Sequence, residues 1–366
     1  MALAFAKMTR SLARGSTIAQ CSEHKVPASS VLPISSSILP MASVKPPVNM
    51  FLSSARTTAA PRLASIARHF STTPAVFEVK KLGVIGAGQM GLGIALVAAQ
   101  KASVNVTLVD NSQTSLDKGM AFADKLLAKD LSKQRITQEI LDQTKSRIHP
   151  TTQMSDLSDV DFVIEAVPEI PSLKEKIFAE LAQVCPKHAI LATNTSSISI
   201  TRIAAATTKD PTDTSASSRV VSTHFMNPVP VQKGVEIISG LQTSQSTVDA
   251  AIEFCKAMGK IPSVSADSPG FLANRILMPY INEAIICLET GVGKKEDIDN
   301  IMKNGTNVPM GPLTLADFIG LDTCLAIMET LHAGLGDTKY RPSVLLRQYV
   351  DAGWLGKKSG KGFYDY

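Results

Sequence analysis

Five short runs dense in Val, Ile and Ala leave this chain few ways to fold. They are KLGVIGAG (81–88), NVTLVD (105–110), DFVIEAV (161–167), AILATNTS (189–196) and VVSTHF (220–225). Their hydrophobicity is continuous rather than alternating, as strands need when both sheet faces are covered. Segments of helical length separate them, at 89–102, 112–133 and 172–184. Strand and helix in alternation predict an α/β fold, a doubly wound and mainly parallel sheet. After SPGF (268–271) the β pattern stops. LANRILMPYINEAIICLETG carries apolar residues at helical spacing and ends at Gly291, a helix-stop position. KKEDIDNIMKNG, PLTLADFIGLDTCLAIMETLHAGLG and RPSVLLRQYVDAG read likewise. A boundary near Asp267 is therefore expected, with the sheet in 78–267 and an all-helical C-terminal domain in 268–366.

The net charge of +5 is local in origin. Residues 1–77 carry eight Lys/Arg against one acid, leaving 29 of the 37 basic and 31 of the 32 acidic residues beyond them. No body-wide basic patch for nucleic acid is implied. The same 77 residues are rich in Ser, Thr, Ala and Pro, and MALAFAKMTRSLARG spaces Lys7, Arg10 and Arg14 at helical intervals. That is the composition of a mitochondrial transit peptide, and RHFSTTPAVF (68–77) has the form of its cleavage site. The expected location is the mitochondrial matrix. No apolar run approaches the ~20 residues that a membrane span needs. Cys21, Cys185, Cys255, Cys287 and Cys324 show neither CxxC nor metal-ligand spacing, and are expected to be reduced thiols.

Chemistry enters with GAGQMG, which spaces Gly86, Gly88 and Gly91 as G-x-G-x-x-G between a strand and a helix. Gly86 permits a tight turn, Gly88 lets a pyrophosphate approach the backbone, and Gly91 allows close helix–strand packing. The helix N-terminus then receives the phosphates, so the sheet is Rossmann-like. Asp110 ends the next strand, where a carboxylate accepts from ribose hydroxyls and repels a 2′-phosphate; this favours NAD over NADP. Flavin and nucleotide-sugar folds share the glycine spacing. Glu165, near the end of DFVIEAV, and Glu169, just beyond it, lie at a crevice edge, although acids there also serve as helix-start charges. Asn194 and Ser196 follow another strand and offer an amide and a hydroxyl, or simply cap a turn. His224 ends VVSTHF. Glu236, twelve residues on, sits in a returning strand VEIISG past Pro228 and Pro230. An imidazole oriented by a carboxylate suits removal of a hydroxyl proton, though such pairs are also structural.

Taken together, these motifs are similar to those of the L-3-hydroxyacyl-CoA dehydrogenase family along nearly all of residues 80–366. GVIGAGQMGLGIA, VIEAVPE, NTSSISI, HFMNPVPVQKGVEII, DSPGFLANRIL, PMGPLTLADFIGLD and GKKSGKGFYDY occur in the family order. The resemblance implies that His224 is the catalytic base, Glu236 its partner, Ser196 a donor to the reacting oxygen, and Asn274 a support for His224 and the acyl carbonyl. It places Glu169 and Lys174 at NAD and Asp110 on the adenosine ribose; Asn194, the crevice amide, is expected among the cofactor-binding residues. Lys133, or else Lys125, is the implied contact for coenzyme A. It further implies an acyl-CoA substrate and a homodimer formed through the helical domain. Two other readings compete, a dehydrogenase of a free hydroxy acid such as L-gulonate and a non-enzymatic, crystallin-like cofactor-binding protein. The length leaves no room for a fused hydratase domain of ~250 residues.

Overall fold

The computed structural model describes residues 78–366. The expected transit peptide, residues 1–77, lies outside the described residues. Eight strands among those described form one sheet: β1 (Lys81–Ile85), β2 (Asn105–Val109), β3 (Ile148–Thr151), β4 (Phe162–Glu165), β5 (Ile190–Thr193), β6 (Val220–Phe225), β7 (Gly234–Ser239) and β8 (Ile261–Ala266). Their spatial order is β3-β2-β1-β4-β5-β6-β7-β8. Every neighbouring pair is parallel except β6 and β7. The chain leaves β1 toward β2 on one side and returns to β4 on the other. The strand order thus reverses between β1 and β4, and a crevice opens at their carboxyl ends.

Helices α1 (Gln89–Val97), α2 (Gln113–Ser132), α3 (Gln138–Ser146), α4 (Pro171–Val184), α5 (Ile200–Ala205) and α6 (Gln245–Ala257) cover the sheet. Their starts follow from local chemistry. Ser112 and Ser244 accept hydrogen bonds from the amides of Ser115 and Thr247, and α4 opens on a proline, whose missing N–H costs nothing there. Leu92, Ile94, Val84, Val106 and Phe162 fill the core on one face of the sheet. Val163, Phe178, Leu181, Leu191 and Ile203 fill the other. Burying each such side chain contributes about 1.5–3 kcal/mol.

After β8 the described chain is helical: α7 (Ala273–Glu289), α8 (Lys295–Gly305), α9 (Pro312–Ile319), α10 (Leu321–Leu335) and α11 (Val344–Asp351). They share a core of Met278, Ile281, Ile285, Leu313, Leu321 and Met328. Asp299 on α8 caps α9 from outside, accepting from the amides of Leu313 at 2.8 Å and Thr314 at 2.9 Å. The terminal residues dock beside it, Tyr364 donating its hydroxyl to Asp299 and its amide to Asp317. No single helix among the described residues is long and apolar enough to cross a membrane.

The sequence pattern predicts neither β3 nor β8. Both lie at the sheet edges. In β8 only Ser265 is buried, while Ile261 and Val264 are exposed. An edge strand needs no continuous apolar run, so the signal that reveals the central strands is missing.

Candidate active site

The crevice at the ends of β1, β2 and β4 holds a cavity of about 940 Å³, lined by Gly86, Ala87, Gly88 and Asp110 among others. Gly86 has φ +104°, and a Cβ there would lie 2.7 Å from Ala166 O, so the turn admits only glycine. A Cβ on Gly91 would overlap Gly86 O, whereas one on Gly88 would meet nothing within 4 Å. The first glycine makes the turn, the third seats the helix, and the middle one leaves bare backbone facing the cavity. No side chain caps the start of α1, so its first amides present the positive end of the helix. Asp110 accepts from the amides of Ala87 at 2.9 Å and Ser112 at 3.0 Å, which fixes its carboxylate at the cavity wall. These residues fit a dinucleotide, with pyrophosphate at α1 and a ribose at Asp110.

The other expected cofactor residues stand elsewhere. Lys174 does not line the cavity; it is 1% exposed and forms a 2.6 Å ion pair with Glu165, itself fully buried. Glu165 also accepts from Val167 N and from Thr193 Oγ, both at 2.7 Å. A lysine held this way is an internal cation in this structure. Its second carboxylate, Glu169, lies 3.4 Å away and gathers the loop after β5, accepting from the Thr195 hydroxyl and the amides of Ser196 and Ser197. Burial would raise the Glu169 carboxyl, but Lys174 and these donors outweigh it and hold it below the usual range. Asn194 spends its side-chain oxygen on Phe225 N at 2.8 Å, tying β5 to β6. Lys125 and Lys133 are exposed on and just after α2 and line neither the large cavity nor its neighbour, whereas Lys118 and Lys176 border the large one.

The residues expected to form an acid–base set do converge. His224 and Glu236 oppose each other directly in the antiparallel β6–β7 register, which puts both side chains on one face. His224 Nδ1 lies 2.7 Å from Glu236 Oε2, and both residues are buried. An ionised carboxylate only accepts, so Nδ1 carries the hydrogen and Nε2 of the neutral ring is the acceptor. Ser196 Oγ stands 3.0 Å from that Nε2. Asn274 Nδ2 reaches back to Ser196 O at 3.5 Å. Glu236 Oε1 accepts from the amides of Leu272 and Ala273, both at 2.8 Å. Burial pushes the Glu236 carboxyl up, yet the bonds from His224, Ala273 and Leu272 prevail and hold it low, so it stays charged. A reacting hydroxyl placed at Nε2 and Ser196 Oγ could give up its proton to one and keep a hydrogen bond from the other.

The family model for the 3-hydroxyacyl-CoA dehydrogenase NAD binding domain matches residues 81–268, and that for the C-terminal domain of the same enzymes matches 270–366. The chain belongs to the 3-hydroxyacyl-CoA dehydrogenase family. Its cofactor is NAD. Among relatives of the family, a 3-hydroxybutyryl-CoA dehydrogenase of Bradyrhizobium diazoefficiens is 52% identical over 288 residues, 79% of this chain and 96% of its own. A mitochondrial hydroxyacyl-coenzyme A dehydrogenase of Rattus norvegicus is 40% identical over 296 residues, 79% of this chain and 91% of that protein. The crystal structure of (S)-3-hydroxybutyryl-CoA dehydrogenase from Ralstonia eutropha superposes with a TM-score of 0.75 at 44% identity, covering 79% of this chain and 99% of that one.

Sequence reasoning misses the Glu165–Lys174 pair, the donors Thr195 and Ser197, and Phe271. Glu165 and Lys174 stand nine positions apart across a strand end and a helix start, a spacing with no periodic signature. Nothing in the sequence pattern singles out Phe271, which its backbone conformation sets apart.

Proposed function

We propose that this protein oxidises an L-3-hydroxyacyl-CoA, with 3-hydroxybutyryl-CoA as the short-chain case, to the 3-ketoacyl-CoA. The observation that carries the reading is the Ser196–His224–Glu236 chain, with contacts of 3.0 and 2.7 Å, which joins the loop after β5 and the carboxyl end of β6 to the antiparallel β7. NAD, when bound, supplies the acceptor for the hydride that leaves C3. His224 Nε2 takes the proton of the C3 hydroxyl, and Glu236 offsets the charge of the resulting imidazolium. Ser196 Oγ donates to the same oxygen and orients it, with Asn274 holding the Ser196 backbone in place. Glu169 and Lys174 keep the Ser196 loop in its conformation from beneath.

A fatty-acid β-oxidation role in the mitochondrial matrix agrees with the eight basic residues and one acid in residues 1–77. A homodimer through the helical region agrees with the outward apolar side chains Ile276, Val292 and Ile301 on and around α7 and α8. Light scattering of the purified protein should give twice the mass of one chain, and a monomer mass would refute the dimer. Feeding NAD with 3-hydroxybutyryl-CoA or with L-gulonate tests the substrate. Faster NADH formation from the acyl-CoA is expected; faster turnover of gulonate would overturn the reading. With NADP in place of NAD the rate should collapse, because Asp110 repels a 2′-phosphate.

A further inference from the structure

Glu236 is committed on both of its oxygens. Oε2 faces His224, and Oε1 takes two amides from the start of α7. Those amides do not face Glu236 by default. The chain enters α7 through two consecutive left-handed residues, Gly270 at φ +75° and Phe271 at φ +48°. From there Leu272 takes up helical angles, and Arg275 N returns to Gly270 O at 3.1 Å. Glycine visits this region freely, whereas a residue with a Cβ does so against its own sterics. At position 270 the chain uses glycine; at 271 it keeps a phenylalanine.

The ring accounts for that choice. Phe271 is 3% exposed and packs into the sheet-side core with Val163, Leu191, Ile198 and Ile238, although it sits on the threshold of the helical region. Its ring centroid is 6.0 Å from that of His224, with the planes at 64°, an edge-to-face arrangement. His224 is thus held by Glu236 at one nitrogen, by Ser196 at the other, and by Phe271 against its flank. A strained backbone conformation persists only where its surroundings over-determine it. Here the surroundings are the carboxylate and imidazole of the acid–base pair.

We propose that Phe271 is a positioning residue for this pair, its left-handed backbone turning the Leu272 and Ala273 amides onto Glu236 while its ring braces His224. The orientation of the base is therefore set from the entrance to α7, not only from the sheet that carries it. This rests on the reading of His224 as the base.

Two substitutions separate backbone from ring. Phe271→Gly keeps the left-handed turn and removes the brace; Phe271→Val is β-branched and cannot hold the turn. Misplacing a reacting group by about 1 Å costs on the order of 10²-fold in rate. On that scale kcat should fall about 10-fold in Phe271→Gly and about 10²-fold in Phe271→Val. KM for acyl-CoA and the Kd for NAD, read by fluorescence titration, should stay within about twofold of the parent, because the cofactor groups lie on other elements. Circular dichroism establishes that each variant is folded, and if Phe271→Val is not, Phe271→Gly decides alone. A Phe271→Gly enzyme with parental kcat overturns the proposal. So does one whose kcat and NAD affinity fall together, since that is a general loss of structure. His224→Gln, assayed alongside, keeps the two ideas apart: activity there removes the base itself, whereas inactivity there with a parental Phe271→Gly sinks only the positioning role.

Discussion

Replacing His224 with Gln should lower kcat by ~10²–10⁴ while NAD binding persists, the range for loss of a positioned general base. Gln matches much of the imidazole's reach and can still hydrogen-bond Glu236, but it cannot accept a proton. The dinucleotide cavity is built from the glycine turn, α1 and Asp110, none of which touches His224. Kd for NAD by fluorescence and kcat by NADH formation measure the two halves separately. A variant with undiminished kcat would remove His224 from the mechanism. A variant that also loses NAD would show that the histidine supports the fold of the crevice rather than the proton transfer.

Lys174→Met should destabilise the protein by about 3–5 kcal/mol, the cost of breaking a buried pair by removing one partner. The loss comes less from the missing attraction than from what stays behind, a Glu165 carboxylate with no exposed surface and no cation. Urea unfolding followed by circular dichroism reads the change as a lower midpoint. The double variant Glu165→Gln/Lys174→Met should recover a large part of the loss, because no charge is then stranded. Equal stability of Lys174→Met and the parent would mean that water reaches the site and the pair is not internal. The same substitution has a second readout. Glu169 leans on Lys174 at 3.4 Å and organises the loop that bears Ser196, so the surviving folded enzyme should turn over more slowly as well.

The central strands are legible because burial on both faces favours apolar runs, which β1, β2, β4 and β5 largely carry, while β6 is read from its Val220–Val221 start and buries the polar Ser222, Thr223 and His224. The helical region after Asp267 is legible for the same reason at a different period. The edges are not. β3 contains a proline and β8 shows four exposed positions in six, patterns that solvent-facing strands share with loops. At the site, His224, Glu236, Ser196 and Asn274 are each weak signals alone, and the family motifs bring them together before the geometry does. Lys174 is expected at the cofactor from the family motif, and the sequence does not show that it also pairs with a buried Glu165. Phe271 and the internal Glu165 pair depend on backbone angles and on side chains meeting across elements, and neither leaves a periodic trace.

β7 runs against its neighbour β6, and this reversal governs which changes of length the chain can absorb. Because the return is a hairpin, the pairing of His224 with Glu236 is decided by strand register alone. The connecting segment 226–233 is itself anchored, with Val229 buried in the core and the carbonyls of Val229 and Gln232 accepting from Lys260 Nζ, so added residues there would disturb this anchor rather than the register. One residue added within β7 before Glu236 would send its carboxylate to the opposite face of the sheet, away from the imidazole. A change of length in the arms of this hairpin therefore parts the imidazole from the carboxylate directly, whereas one in its connection acts only through the Val229 and Lys260 anchor.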